Sequence, residues 1–138
     1  VAVEHEKEVR VSVSSDIDLV TARREGRVMA EQLGFSSSEA TLVATAISEL
    51  ARNIVNYAKR GEIHVRLVND GIKRGISIVA RDSGPGIADI RLAMQSGYST
   101  SGGLGLGLPG VKRIMDEFDL VSEPGKGTTI AVTKWKWR

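Results

Sequence analysis

Between Ser101 and Gly110 the chain reads SGGLGLGLPG, with glycines at 102, 103, 105, 107 and 110. Glycine loses more backbone entropy on folding than any other residue, so a cluster of it needs a use. Four uses compete. A phosphate-binding P-loop needs G-x-x-x-x-G-K-[ST], but the lysine set among glycines, Lys126, is followed by Gly127. Gly105, Gly107 and Gly110 fit G-x-G-x-x-G, yet the preceding MQSGYSTSGG does not read as the strand a dinucleotide site requires. A glycine hinge with no ligand is the plain structural use. The fourth is an anion cradle, in which glycines let backbone N–H groups close on phosphate. A helix starting near Gly107 would add the positive end of its dipole. Pro109 suits a first helical turn, where its missing N–H costs nothing.

The cradle needs further parts of a nucleotide site, and three stretches offer them. Glu49, Asn53 and Asn56 fall at i, i+4 and i+7, in one line along a helix. A carboxylate and a carboxamide so placed can serve a general base and a Mg²⁺ ion, or form an ordinary solvated edge. RDSGPGI ends a strand with Asp82, then Gly84 and Gly86 let the backbone turn beneath a flat ligand. Asp82 can accept from an exocyclic amine, or simply start a turn. GKGTT (125–129) gives a turn followed by hydroxyls at a strand start, which alone is an unremarkable hairpin.

Composition sets bounds. The chain of 138 residues suits one domain, 1–138, with a proper core. It has no cysteine, which removes disulfides and thiolate metal sites and fits a reducing compartment. The start, VAVEHEKEVR, is charged where a signal peptide is apolar, and no apolar run nears the roughly 18–20 residues of a membrane span. A cytoplasmic protein without a membrane partner is the expectation. The net charge of +2 is too small to argue for nucleic acid. The basic tail KWKWR (134–138) reads as a frayed or edge strand with solvated lysines.

These residues must be held by regular elements. EVRVSV (8–13) alternates as a half-buried strand does. A helix is expected over 16–34, with Leu19, Ala22, Gly26, Met29 and Leu33 on one face and Gly34 as its stop. SSSE (36–39) is a capping box for a second helix running to about 59, with Val43, Ile47, Leu50, Ile54 and Tyr57 as its buried stripe. Residues 62–70 and 75–82 read as a hairpin. Residues 88–104 read as loop. A helix over 107–117, a strand over 119–122, a turn over 123–127 and a strand over 128–135 complete the chain. Clustered helices and sequential strands point to a two-layer α/β (α+β) sandwich with a mixed sheet, rather than a doubly wound parallel one.

Taken in order, Glu49 and Asn53 resemble the N-box E-x-x-x-N of the GHKL ATP-binding superfamily, which includes gyrase, Hsp90, histidine kinases and MutL. Asp82, Gly84 and Gly86 resemble its D-x-G-x-G box, and Gly103, Gly105 and Gly107 its G-x-G-L-G box. Gly127 and Thr128 resemble its late Gly-Thr element. The resemblance implies a Bergerat fold, with a sheet covered by helices on one face, and the cofactors ATP and Mg²⁺. It implies that Asn53 binds the metal and that Asp82 accepts the adenine amine, with Thr128 nearby. Gly84 and Gly86 would pass under the base. Residues 88–104 would be the ATP lid, with Gly103, Gly105 and Gly107 closing on the triphosphate. Glu49 would be the general base.

The compact chain is similar to the serine kinases of bacterial partner switching, among them the stressosome switch kinases and the anti-sigma-factor kinases. That resemblance implies ATP-dependent phosphorylation of Ser or Thr on STAS-domain proteins of the RsbS and RsbR type. Release would then allow activation of a PP2C-type phosphatase of the RsbU type. The alternative is an anti-sigma factor that binds a sigma factor and phosphorylates its anti-anti-sigma partner. Half of a split histidine kinase is a further alternative, although His5 and His64 sit in strand-like or terminal segments. The lid carries Ser99, Thr100 and Ser101 but no lysine or arginine between Met94 and Pro109. A cation for the γ-phosphate would come from Arg91, Lys112, Arg113 or a partner.

Overall fold

The capping box at Ser36 forms as its sequence predicts. Ser36 Oγ accepts from the Glu39 N–H at 3.1 Å, and Glu39 Oε1 accepts from the Ser36 N–H at 3.1 Å. It opens one of the three helices found among the described residues of the computed structural model, which are 4–87, 94 and 107–136, with side chains from residue 7 onward. The elements run β1 (Glu4–Val13), α1 (Asp16–Leu33), α2 (Ser37–Tyr57), β2 (Gly61–Asn69), β3 (Arg74–Asp82), α3 (Gly107–Ile114), β4 (Glu117–Glu123) and β5 (Gly127–Lys136). The segment 88–104, with Gly103 and Gly105, lies outside the described residues except for Met94.

Helix α1 buries the predicted stripe of Leu19, Ala22, Gly26, Met29 and Leu33, and stops at Gly34 with φ 99°. Its start also carries a cap that the sequence reading passed over. Asp18 Oδ2 accepts from the backbone N–H groups of Ser14 at 2.8 Å and Ser15 at 3.2 Å, which holds its carboxyl below the usual range. Helix α2 turns Val43, Ile47, Leu50 and Ile54 inward. Gly26 is where the two helices press together, since a Cβ there would lie 1.9 Å from Ile47 Cδ1. Tyr57, expected to end the buried stripe, is 48% exposed because it sits in the last helical turn, where the chain leaves the core. Lys59 follows with φ 72°, and Gly61 already belongs to β2.

The five strands form one sheet in the order β1-β2-β3-β5-β4. Every described pairing is antiparallel, so the sheet is not mixed as the sequence suggested. The reason is topological. A single crossover helix returns the chain parallel, but the α1–α2 hairpin adds one more reversal, so β2 runs against β1. The chain then crosses to the outer edge as β4, and the β4–β5 hairpin places β5 beside β3. Strand β5 is therefore internal as far as Thr133, and its last described residues, 134–136, pair with β3 alone. Trp135 is buried; its backbone N–H donates to Asp116 Oδ2 at 2.6 Å and its Nε1 to Glu117 Oε2 at 2.5 Å. Lys134 Nζ donates to the Ile114 carbonyl at 3.1 Å.

Both helices and α3 cover one face. Val11, Val13, Ile63, Val65, Ile76, Ile78, Ile130 and Val132 alternate toward them and join Met29, Ile47, Leu50 and Val111 in the core. The opposite face buries Val68, Val79 and Trp135 and carries charged side chains elsewhere. Glu8 Oε1 lies 3.6 Å from His64 Nδ1 and 3.6 Å from Arg10 Nε, and His64 Nε2 lies 3.3 Å from Glu62 Oε2. Among the described residues, no helix is long and apolar enough to cross a membrane.

Candidate functional site

The end of β3 carries Asp82 to the end of the sheet. Asp82 Oδ1 accepts from the Gly84 N–H at 2.9 Å, which folds residues 82–84 into a tight turn and leaves Oδ2 without a partner among the described residues. Gly84 then passes so close to the end of α2 that a Cβ would meet Ala58 Cβ at 2.5 Å. Gly86 takes φ 77°, and a Cβ there would lie 2.2 Å from the Glu123 carbonyl oxygen. The β4–β5 turn closes on this loop from the other side, with the Gly125 N–H donating to the Pro85 carbonyl at 2.7 Å.

Thr128 sits directly across from Asp82 in the β3–β5 register and is buried. Gly127 makes that neighbourhood possible: at φ 109°, its missing Cβ would fall 2.2 Å from the Asp82 carbonyl oxygen. Ser122, which the sequence reading did not single out, ties the pieces together. Its Oγ accepts from the Ile87 N–H at 2.7 Å and lies 2.8 Å from Thr128 Oγ1 and 3.2 Å from the Gly127 carbonyl. The signal was available, because a hairpin turn at EPGKG sets Ser122 opposite Thr128.

Helix α2 leads away from this loop toward its own N-terminus. Asn53, partly exposed, and Glu49, 8% exposed, stand on it at i, i+4 spacing. At 1.5 Å per residue, Glu49 lies about 13 Å of helix before Ala58. A ligand with a flat base at Asp82 and an extended chain along α2 would thus meet Asn53 first and Glu49 last. Asn56, the third member of the polar line, is exposed on the wall of a neighbouring groove. Glu49 Oε1 accepts from Arg52 Nη1 at 3.0 Å, an ion pair the sequence reading missed although the i, i+3 spacing permits it. The groove, about 420 Å³, takes Asp16, Val20 and Arg23 from α1 and Ser48, Arg52 and Asn56 from α2. Gly107 begins α3 with φ 55°, a left-handed value that glycine adopts without strain. Of the cations considered for a γ-phosphate, Lys112 and Arg113 are exposed on α3 and Arg91 lies outside the described residues.

A sheet covered on one face by helices, with an Asp turn at one end and a glutamate-asparagine pair on the adjoining helix, defines a class. Residues 38–137 match the family of histidine kinase-, DNA gyrase B- and HSP90-like ATPases, and the chain belongs to that family. The serine/threonine-protein kinase RsbT of Bacillus subtilis (strain 168) is 54% identical over 125 residues, covering 91% of this chain and 94% of its own length. The anti-sigma F factor of Caldanaerobacter subterraneus subsp. tengcongensis is 32% identical over 118 residues, covering 83% of this chain and 82% of its own. Among solved structures, the RsbU and RsbW domains of a Mycobacterium tuberculosis protein align with TM-score 0.66 at 17% identity. That alignment covers 94% of this chain and 33% of the mycobacterial one. The mycobacterial sensor histidine kinase MprB aligns with TM-score 0.51 at 18% identity, over 97% of this chain and 99% of its own. At such identities these two structures speak to the fold.

Proposed function

We propose that the chain is an ATP-dependent serine/threonine-protein kinase of a bacterial partner-switching pathway of the stressosome kind, acting in the cytoplasm. Its substrates would be STAS-domain proteins of the RsbS and RsbR type, and on release it would activate a PP2C-type phosphatase of the RsbU type. The observation that carries this reading is the 54% identity to RsbT across nearly its whole length, beside a family match over 38–137 that spans Glu49, Asn53, Asp82 and Thr128.

The residues fit the nucleotide. Oδ2 of Asp82 is open to accept from an adenine amine, and Gly84, Gly86 and Gly127 let the loop, the end of α2 and the β4–β5 turn pack closely around that carboxylate, where a Cβ would meet protein atoms at 2.2–2.5 Å. Among the described residues no three His, Cys, Asp or Glu converge, so a divalent ion would rely on phosphate oxygens and water beside the Asn53 carboxamide. When bound, Mg²⁺ neutralises charge on the phosphates. Asn53 would hold the metal end of the ligand, and Asp82 with Thr128 the base end. Gly103, Gly105 and Gly107 would supply backbone N–H groups to the triphosphate. Glu49 would take the proton of the substrate hydroxyl. The hydroxyl oxygen forms the new bond to the γ-phosphorus, and the bond to the bridging oxygen breaks with its electron pair leaving on ADP. Positioning and electrostatics carry most of such a reaction.

The test is to incubate the chain with Mg-ATP labelled in the γ-phosphate and a STAS-domain protein, then quench in acid. Acid-stable label on a Ser or Thr of the partner is expected. Acid-labile label would instead indicate phosphohistidine chemistry. The similarity to anti-sigma F factors supports one further reading, a nucleotide-gated binder of a sigma factor. ATP binding without transfer, together with co-purification of a sigma factor, would favour it.

A further inference from the structure

Arg52 has no role in the reading so far, yet it is the side chain that holds Glu49. The contact is single: Nη1 reaches Oε1 at 3.0 Å, and no second nitrogen or oxygen joins in among the described residues. A paired fork would occupy both carboxylate oxygens. This single contact instead takes one oxygen and leaves Oε2 without a partner among the described residues. Glu49 is 8% exposed, and a polar group so enclosed costs free energy unless it is hydrogen-bonded. Arg52 itself is 29% exposed and stands on the wall of the groove between α1 and α2, beside Asn56. An i, i+3 pair on an open helix surface would be worth little. This one joins a buried acid to a solvent-lined wall.

We infer that Arg52 is a positioning residue for phosphoryl transfer. Its guanidinium binds Oε1, fixes the rotation of the Glu49 carboxylate, and presents Oε2 to the incoming hydroxyl. The inference rests on Glu49 being the general base. Arg23 and Asp16 from α1 line the same groove, but Arg52 is the one charged group in direct contact with Glu49 among the described residues.

The experiment measures single-turnover transfer to a STAS-domain protein, with Mg-ATP affinity measured by calorimetry on the same samples. Wild type, Arg52→Ala, Arg52→Gln, Arg52→Lys and Glu49→Gln are compared. Misorienting a base is expected to slow transfer by roughly 10–100-fold in Arg52→Ala and Arg52→Gln, with ATP affinity unchanged. Arg52→Lys should recover part of the rate, and millimolar guanidinium should restore Arg52→Ala but not Glu49→Gln. Wild-type transfer by Arg52→Gln, beside an inactive Glu49→Gln, overturns the inference and leaves the base assignment standing. Full activity in Glu49→Gln overturns both. Loss of ATP affinity in every Arg52 variant, with no rescue, would make the pair purely structural and also overturns it.

Discussion

Gly125 and Gly127 stand two residues apart in the β4–β5 turn, and both take positive φ, 81° and 109°. An alanine at either position pays for the left-handed backbone, about 1–2 kcal/mol. The surroundings separate them. A Cβ at Gly125 meets nothing within 4 Å, whereas one at Gly127 falls 2.2 Å from the Asp82 carbonyl oxygen and 2.8 Å from Ser83 Cα. Both obstacles are backbone and cannot swing aside. Relief requires β5 and the end of β3 to part by about 1 Å, adding an overpacking cost of about 1–3 kcal/mol. The strain falls on the register pair Asp82 and Thr128, the two side chains assigned to the base. Gly125→Ala should therefore lower the melting temperature modestly and leave ATP affinity unchanged. Gly127→Ala should lower it further and weaken ATP binding by roughly tenfold or more, the effect of losing about 1.4 kcal/mol. Thermal denaturation and calorimetry on the two variants decide the matter. Equal effects on ATP affinity, or none from Gly127→Ala, would refute the idea that this glycine sets the distance between Asp82 and Thr128.

Two further outcomes concern the scaffold. Gly26→Ala forces Ile47 to move from a contact of 1.9 Å; overpacking of about 1–3 kcal/mol should outweigh the gain of about 1 kcal/mol in helix propensity. Denaturant titration should show a net loss, largely recovered in the double variant with Ile47→Val. In the β2–β3 turn, Asp70 accepts from Lys73 Nζ at 2.8 Å and from the Lys73 and Ile72 N–H groups at 2.8 and 2.9 Å. These bonds, the Lys73 side chain first, hold its carboxyl far below the usual range. A depressed folded value means the stabilisation is present above the unfolded pKa of about 4 and is lost as pH falls toward the folded value. The stability difference between wild type and Asp70→Asn should accordingly shrink below about pH 4, as urea titrations across pH will show.

Much of this fold could be read from local pattern. The stripe from Leu19 to Leu33, the Ser36–Glu39 box and the β2–β3 hairpin each follow from spacing that a few residues carry. What failed depended on residues far apart in sequence. Antiparallel pairing throughout comes from how the helical hairpin and the crossing to β4 reverse the chain. Strand β1 begins at Glu4 rather than Glu8, because a register shift between His5 and Lys7 breaks the alternation. Helix α3 stops at Ile114 rather than 117 because Glu117 already pairs with Thr133. The candidate residues Asp82, Gly84, Gly86 and Thr128, which the fold brings together at one sheet end, stood out because their order along the chain is a pattern. Ser122 and Arg52 were legible only as pairings, Ser122 with Thr128 across the EPGKG hairpin and Arg52 with Glu49 at i, i+3, and neither forms part of a motif.

The account rests most heavily on Asp82 as the residue that meets the base, and one titration tests it. Asparagine keeps an oxygen to accept from Gly84 N–H, so the turn survives in Asp82→Asn. The other terminus becomes an N–H₂ donor facing the donor amine of adenine. Losing a hydrogen bond to a charged acceptor, worth about 1.5–3 kcal/mol, should raise the Kd for Mg-ATP roughly 10–100-fold at an unchanged melting temperature. An Asp82→Asn variant that binds Mg-ATP as tightly as wild type would contradict the placement of the base at the end of β3.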